Sequence, residues 1–409
     1  MINNNYNSQM KLKIQISDIL TILVVFAFFP PSIMERMSSS FDNLQRYLQL
    51  FFIAVLLINL IINEKVKFSK SHFRWGLYCL YGLILTLMME PESTYRFLMR
   101  VGVPVFLAVL LCLSYENKSN GIEKLLKCMN FYWTTLIFLN CLMMFLFPNG
   151  IIRSSGGATA ERANWLLGSK NNVVLPLIFA SVIFLYNWMC DSRRRFIKLV
   201  VFFAMVFYSL MWAGSNGVAA FQGSSTGLLA FVLFFFLLFC IYFLHIRSLI
   251  NKNIIGWVSV GFFCISVVVI LGAISSNTFI GTLFEATGKD ATASYRTFIW
   301  ADAINRTMQS PIVGKGYTLE GLFRGSTQTY NMFLDCVYRY GIVGLMLLFS
   351  AFWSYKMNKN SGCANVSSSK YVFLVGIISM FLCAVVNSIK LEHLIVLLEL
   401  YIFLDNDSK

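Results

Sequence analysis

The chain has 409 residues, of which 57% are hydrophobic and 13% are charged, and its formal net charge is +14. Soluble domains carry roughly 25% charged residues, so this composition excludes an ordinary soluble protein and predicts an all-α, polytopic membrane protein. The positive charge does not predict nucleic-acid binding, because no soluble domain is expected to carry a basic surface. The ten cysteines form no Cys-x-x-Cys and the three histidines have no ligand spacing, so we expect no metal site and no cofactor.

Twelve apolar runs are long enough to cross the hydrocarbon core of a bilayer, which is roughly 30 Å thick. In chain order they lie near residues 18–35, 46–62, 73–89, 97–114, 129–147, 172–190, 198–213, 226–246, 255–274, 331–354, 371–387 and 391–404. They predict one membrane domain over residues 1–409 with about twelve transmembrane helices. Lysine-rich connections place both termini in the cytoplasm, following the positive-inside rule.

Lysine and arginine are divided unequally between the two sides of this predicted topology. The inner side holds 14 Lys and 5 Arg, and the outer side holds 4 Lys and 10 Arg. The planar fork of arginine binds phosphate or carboxylate through two donors, so the outer arginines indicate an acidic ligand. Side chains that extend to lipid headgroups explain Arg36, Arg46, Arg96 and Arg100 equally well.

Two long outer connections, residues 149–172 and 275–330, hold most of the candidate binding residues. The first contains a Ser-Ser-Gly-Gly stretch, which suits either a loop that wraps a ligand or a simple connection. Its charged residues are Arg153, Glu161, Arg162 and Lys170.

The second outer loop predicts an amphipathic helix over residues 295–308. Its apolar stripe includes Trp300, and Arg296 lies one turn earlier on the same stripe. An arginine on the buried face of a helix is costly unless it pairs with an acidic group. That group is either a ligand or a structural partner in the same loop, such as Asp302 or Glu320.

The second loop and the run after it contain a spaced series of motifs. Together these motifs resemble the signature of the O-antigen ligase and O-antigen polymerase superfamily over about fifty residues. The motifs are Tyr-Arg296-x3-Trp300-x2-Ala303, then Pro311-x2-Gly314-x-Gly316, then Asn331-x2-Leu334, then Gly341-x2-Gly344.

The resemblance implies a GT-C-type, metal-independent glycosyltransferase in the bacterial cytoplasmic (inner) membrane, with its site facing the periplasm or outer face. Such an enzyme moves a glycan from undecaprenyl diphosphate to an acceptor. Transferred onto this sequence, it implies diphosphate binding by Arg296 with Arg153 or Arg162. It also implies that further residues bind phosphate or sugar or position the acceptor. These residues are Lys170, Lys315, Arg324, Trp300, Tyr330 and Asn331.

One departure from the signature concerns the acceptor side of the reaction. The ligases carry a histidine before the motif asparagine, and this chain has Tyr330 there. A phenol with a pKa of about 10 is a poor base, so the missing histidine favours a polymerase of lipid-linked repeat units, of O-antigen or capsule type, over a ligase. The general base stays unassigned among the acidic residues Glu161, Glu320 and Asp335, with His393 as a further candidate.

Two alternatives to a polymerase stay open at this point. A ligase would use the same residues and differ only in its acceptor. A flippase for lipid-linked oligosaccharide would be expected to carry ionisable pairs in mid-membrane, and the spans show few of these apart from Arg100. Expected partners are the lipid-linked oligosaccharide, membrane lipid and a chain-length regulator.

Overall fold

The structure is a computed structural model that describes most of the chain. The described residues are 16–37, 39–62, 68–116, 121–156, 159–169, 172–191, 195–212, 224–244, 250, 252–275, 296–318, 320–356, 369–387 and 390–406. Lys170 lies outside these ranges, so its predicted role in binding stays a prediction. The second outer loop is described from residue 296 onward.

The described residues are almost entirely helical. In chain order, α1 to α15 are Ile16–Phe28, Met34–Met37, Ser39–Ile62, Lys70–Met89, Thr94–Phe97, Val103–Glu116, Gly121–Leu146, Val174–Cys190, Phe196–Met211, Ser225–Tyr242, Ile254–Ile274, Arg296–Thr307, Met332–Trp353, Tyr371–Val386 and Leu391–Asn406. Short 3₁₀ segments occupy Pro91–Ser93 and Phe323–Gly325, and a π-helical turn occupies Leu98–Gly102. The predicted helix of the second outer loop is confirmed as α12.

Several of these helices have the properties of membrane spans. Those long and apolar enough, by length and composition, are Asn43–Ile62, Pro91–Glu116, Gly121–Leu146, Ile254–Ile274 and Met332–Trp353. Shorter apolar helices of 10–17 residues are Ser17–Phe28, Val174–Cys190, Phe196–Met211, Thr226–Tyr242 and Tyr371–Val386. Each of the twelve predicted apolar runs contains a helix, so the chain is a multi-pass membrane protein, and the count of twelve spans stays a prediction.

The last two helices form the centre of the bundle. Nearly every residue of α14 is buried, and it packs against α8, α10, α11 and α15. Helix α15 packs in turn against α6 and buries a continuous run from Leu394 to Leu398. An apolar helix surface is stable against lipid or against other helices, and in these two helices it packs mainly against other helices.

The first outer loop contains a β-hairpin, which the all-α prediction did not include. Strand β1 (Ile152–Gly156) pairs with antiparallel β2 (Thr159–Asn164), and Arg153 lies opposite Ala163 while Arg162 lies opposite Ser154. The hairpin therefore sets the backbone positions of two predicted ligand-binding arginines.

Helix α13 is broken at Gly341, and the glycine-containing turn of the second outer loop docks at the break. Gly341 has a φ of 64°, and Ile342 N donates to Pro311 O at 2.9 Å. Gly316 N donates to the carbonyl of Arg339 at 2.8 Å. A Cβ atom on Gly341 would lie 2.3 Å from Ile312 O, so only glycine permits this backbone contact. The two glycine motifs of the signature therefore contact each other. We call this contact, between the turn 311–316 and the break at Gly341, the joint.

Candidate functional site

A cavity of about 640 Å³ opens among the helix ends that the predicted topology places on the outer side. Its walls come from the end of α1, the start of α3, the π-turn with α6, the middle of α7, the start of α8, the first half of α13 and the turn before α15. Aromatic, amide and charged side chains all contribute to the lining. A cavity of this size with converging polar groups is a typical ligand site.

Basic side chains outnumber acidic ones in the lining of this cavity. The basic residues are Arg46, Arg100, Arg339 and Lys390, and the acidic residues are Asp335 and Glu392. Cations fixed in a site of low dielectric stabilise the negative charge that develops on a leaving phosphate. The lining is therefore suited to an anionic ligand.

Arg339 is held in the cavity wall by neighbours on three sides. Its Nε atom lies 2.9 Å from Asp335 Oδ2, and its Nη2 donates to Thr327 O at 2.7 Å. Its guanidinium carbon stands 4.2 Å from the centroid of the Tyr317 ring. Because the Gly341 break lies two residues further on, the docked turn and this arginine are fixed together.

Arg100 reaches the cavity from the π-helical turn. Val103 N donates to Leu98 O, the i→i−5 bond of a π-turn, and Pro104 has no N–H to offer the carbonyl of Arg100. Such turns are frequent at functional sites. Within the described part of the chain, Arg100 forms neither an ion pair nor a hydrogen bond, so its donors are available to a ligand.

Arg296 links α12 to the C-terminus of α14 through hydrogen bonds. Its Nη1 donates to the carbonyl of Val386, and its Nη2 donates to Asn387 Oδ1 at 3.2 Å. The side chain is 7% exposed, and its guanidinium carbon lies 5.4 Å from the ring centroid of Tyr330. Tyr330 and Asn387 line the cavity. The structure thus places Arg296 directly behind the cavity wall, and its predicted contact with diphosphate stays a prediction.

The two acidic residues considered as partners for Arg296 pair with Arg306. Arg306 Nε lies 2.9 Å from Asp302 Oδ1, and Arg306 Nη1 lies 2.9 Å from Glu320 Oε1. The first ion pair lies within α12, and the second joins α12 to the loop that follows it. The carboxylate of Glu320 is therefore engaged away from the cavity lining.

Asn331 has its side chain fully engaged with backbone groups. It is completely buried, its Oδ1 accepts from Leu334 N at 2.9 Å as the N-cap of α13, and its Nδ2 donates to Val385 O at 2.6 Å. Asn331 and Arg296 thus hold the same end of α14 from two sides. Asn387 at this end, Lys390 before α15 and His393 in the first turn of α15 all line the cavity.

Trp300, for which the resemblance implies a binding role, is packed in the protein interior. Its side chain is 0% exposed, and its Nε1 donates to Thr329 O at 2.7 Å. It packs in a small cluster with Ile270, Leu334 and Tyr338. The ring is therefore enclosed by protein and does not line the cavity.

Lys315 and Arg324 fall outside the cavity lining. Lys315 Nζ donates to Gln309 Oε1 at 2.6 Å. Arg324 is exposed, with its guanidinium carbon 5.6 Å from the Phe323 ring centroid. Arg153, Glu161 and Arg162 belong to the hairpin, where the structure describes the backbone alone. Their predicted contacts with substrate stay predictions.

Several buried polar atoms of lining residues have no hydrogen-bond partner among the described residues, among them Gln45 Oε1, Arg339 Nη1 and the Tyr340 hydroxyl. On the wall formed by α7 and α15, the unpartnered atoms are His393 Nδ1 and Trp133 Nε1. Both side chains are deeply buried, at 5% and 3% exposure, and both residues contribute to the cavity. Buried polar atoms are nearly always hydrogen-bonded, so this wall is suited to a polar ligand.

Comparison with known protein families gives one match. Residues 217–349 match the sequence model of the O-antigen ligase family. The matched segment includes α12, the docked turn and most of α13, and it confirms the resemblance to the ligase and polymerase superfamily seen in the motifs. The match supports a membrane enzyme that acts on glycans, and it fits ligases and polymerases alike. No curated protein and no solved structure matched the chain.

The cavity also contains functional candidates that sequence reasoning did not select. Arg339 and Lys390 were counted only as outer basic residues, and Trp133 was not considered at all. Asp335 and His393 were named as candidate bases by location, and both line the cavity. Arg339 could have been found from the sequence, because it is a charged residue inside an otherwise apolar run. Ionisable residues in membrane-spanning segments usually indicate a functional site.

Proposed function

We propose that this protein is a polymerase of oligosaccharide repeat units linked to undecaprenyl diphosphate. The growing glycan leaves its lipid diphosphate and joins the non-reducing end of another lipid-linked unit. The product is an O-antigen or capsular polysaccharide made at the outer face of the bacterial inner membrane. A chain-length regulator is an expected partner.

The observation that carries this proposal is the mixed character of the cavity lining. Arg46, Arg100, Arg339 and Lys390 supply positive charge for a diphosphate. Aromatic and amide side chains in the same lining suit sugar rings and hydroxyls. A lipid diphosphate that bears a glycan combines these two chemistries, and it reaches such a cavity from the membrane.

The reaction is a displacement at the anomeric carbon of the donor glycan. The acceptor hydroxyl oxygen forms a bond to that carbon while the bond from the carbon to the diphosphate oxygen breaks. The lipid diphosphate leaves with the electron pair, and the hydroxyl proton passes to a base. Side chains such as Arg100 stabilise the charge on the leaving group without proton transfer, so we propose that no metal ion is required.

Tyr330 supports a polymerase over a ligase. It occupies the position of the ligase histidine, has a φ of 55°, and lies against the guanidinium of Arg296. The backbone of a non-glycine residue is strained in this region, which fits a residue whose position matters. A phenol in this position is suited to hydrogen bonding with a sugar and poorly suited to accepting a proton.

A buried ionisable cluster is the observation that favours the flippase alternative. His72 Nε2 lies 3.0 Å from Glu399 Oε2, and the Tyr355 hydroxyl donates to Glu399 Oε1 at 2.5 Å. Glu399 was not singled out from the sequence. The cluster joins α4, α13 and α15 at the end that the predicted topology places inside. Its residues do not line the cavity, so we assign it to packing of the core.

The test is the length distribution of surface polysaccharide in a strain with the gene deleted and then restored. A polymerase predicts that deletion removes the ladder and leaves single repeat units on their final acceptor. Full-length chains retained on undecaprenyl diphosphate would identify a ligase. Loss of every repeat unit from the outer face would identify a flippase.

A further inference from the structure

We propose that the cavity wall formed by α1, α7 and α15 binds the acceptor sugar, and that His393 takes the proton from its attacking hydroxyl. This inference rests on the polymerase function proposed above. It assigns the base that the sequence left open, and it gives Trp133 a role in holding the same hydroxyl.

The imidazole of His393 is enclosed by aromatic rings on the cavity wall. Its ring centroid lies 4.7 Å from that of Phe29, 5.2 Å from Phe179 and 6.0 Å from Trp133. Phe29, Trp133 and His393 all line the cavity. Aromatic rings of this kind pack against the apolar faces of sugars, so the wall offers both stacking and polar contacts.

The unpartnered nitrogens match the bonding capacity of a sugar hydroxyl. Within the described residues, Nδ1 of His393 and Nε1 of Trp133 form no hydrogen bond. Indole Nε1–H is a donor only, and imidazole Nδ1 accepts when the proton is on Nε2. A hydroxyl accepts from the first and donates to the second, so one bound sugar satisfies both atoms.

The proposed step extends the displacement described above. As the acceptor oxygen bonds to the anomeric carbon, its proton moves to Nδ1 of His393, and the lipid diphosphate leaves with the electron pair. Glu392 Oε1 lies 3.9 Å from Nδ1, and Lys390 lines the same wall, so one carboxylate and one ammonium act in opposite directions on the imidazolium that forms. The imidazolium then returns its proton to water, which resets the site.

The other candidate base in the cavity is already committed to structural contacts. Asp335 pairs with Arg339 at 2.9 Å and accepts from Thr329 N at 3.4 Å. The oxygens of this carboxylate are therefore occupied by contacts within the protein. A phenol such as that of Tyr330 is a poor base. Of the candidate bases named from the sequence, His393 is the one that lines the cavity with an unpartnered atom, so we assign the proton to it.

The position of His393 also depends on the signature residues. Arg296 and Asn331 bind the backbone or side chain of residues 385–387. Lys390 and the first turn of α15, which contains Glu392 and His393, lie shortly after these residues and line the cavity. Arg296 and Asn331 of the signature thus support a site whose proposed base, His393, lies more than 60 residues later in the sequence.

The test uses the full-length protein in vesicles with purified lipid-linked repeat units as donor and acceptor. His393→Gln keeps most of the side-chain volume but cannot take the proton. We expect it to lower kcat at least ~100-fold, the lower range for loss of a general base, with unchanged binding of the lipid-linked donor. Trp133→Phe keeps the ring and removes one donor, and we expect it to raise the half-saturating concentration of repeat unit about tenfold.

His72→Gln is the matched control, because His72 is also buried but belongs to the cluster at the other end of the bundle. It should stay within about threefold of wild type in kcat, and thermal melting of each variant separates folding from chemistry. If His393→Gln does not fold, the Trp133→Phe result decides the acceptor site. Wild-type kinetics in both Trp133→Phe and every folded His393 variant would overturn the inference while the polymerase function stands.

Two further outcomes separate this inference from the function on which it rests. A wild-type protein that makes no polymer from these substrates would contradict both the proposed function and the inference about His393. A wild-type protein that polymerises, with His393→Gln active and Asp335→Asn inactive, would move the base to Asp335 and overturn the inference alone.

Discussion

Two arginines of similar appearance in the sequence have different surroundings in the structure. Arg296 is buried and holds the carbonyl of Val386 and the side chain of Asn387. Arg100 lines the cavity and has neither an ion pair nor a hydrogen bond within the described ranges. The first is therefore suited to building the site, and the second is suited to binding substrate.

We predict that Arg100→Ala lowers kcat/KM about 100-fold to 1,000-fold, the usual effect of removing one group that stabilises charge in the transition state. Arg96→Ala is the matched control, because Arg96 lies one turn earlier on the same helical stretch and outside the cavity lining. Initial rates of polymer formation in vesicles give both values. Similar rates for the two variants would remove Arg100 from the proposed diphosphate site.

We predict that Arg296→Lys destabilises the protein as well as lowering its activity. A lysine ammonium cannot make the two directed bonds of the guanidinium fork, and a hydrogen bond to a charged group contributes about 1.5–3 kcal/mol. Thermal melting in detergent should show a lower transition temperature for this variant than for Arg306→Ala, whose ion pairs are more exposed. A variant with wild-type melting and no activity would instead support direct contact between Arg296 and the diphosphate.

At the scale of elements, the joint between the docked turn and the broken helix determines where the cavity residues lie. The turn from Pro311 to Gly316 bonds to the backbone on both sides of Gly341. Tyr81 reinforces the joint by donating to Val313 O at 2.8 Å. Arg339 and Tyr317, which stack on each other at the cavity, are the residues directly flanking this joint.

We predict that Gly341→Ala destabilises the protein by about 1–3 kcal/mol, the usual cost of a strained backbone position, and lowers activity with it. The added methyl group would meet Ile312 O at 2.3 Å. Gly261→Ala is the control, because the same change in α11 meets nothing within 4 Å. Chemical or thermal unfolding in detergent compares the two. Equal stability would mean that the joint adapts without strain.

The elements show which parts of this structure could be predicted from sequence. Helix α12 was predictable because Trp300 and Arg296 recur at helical spacing and Pro311 ends the pattern. The β-hairpin was not, because its polar, glycine-containing strands lack the alternation that indicates a sheet. The apolar runs located the helices, since each run requires burial in lipid or protein.

The candidate site was less accessible to prediction than the helices. Residues as far apart as Trp133, Arg339 and His393 meet only in the folded bundle, and no local pattern links them. The signature did locate Arg296 and Asn331, but it did not show that both bind the end of α14. The signature can be recognised from the sequence alone. Which side chains reach the cavity depends on how α13, α14 and α15 pack together.

At the scale of the whole molecule, the protein is a multi-pass membrane protein whose proposed active site lies within the helical bundle. The central helices α14 and α15 are enclosed by the others, and the cavity lies at one end of this core. Its charge comes from side chains of four separate parts of the chain. The chemistry that we propose for this site relies on these arginines and the lysine.

We predict that treatment with EDTA leaves the polymerisation rate of the purified protein unchanged. The described residues contain no group of three or more His, Cys, Asp or Glu side chains that could hold a metal ion, and the proposed chemistry assigns charge stabilisation to arginine. The measurement compares rates before and after chelation, with added Mg²⁺ as the reversal. A loss of activity that Mg²⁺ restores would require a metal at the diphosphate.

The most direct test of the central claim supplies the purified protein in vesicles with lipid-linked repeat units and nothing else. We predict a ladder of lengthening chains and the release of one undecaprenyl diphosphate for each new glycosidic bond. Arg100→Ala should lose both the ladder and the released lipid, while Arg96→Ala keeps them. Repeat units that stay single until a lipid A-core acceptor is added would contradict the account and identify a ligase.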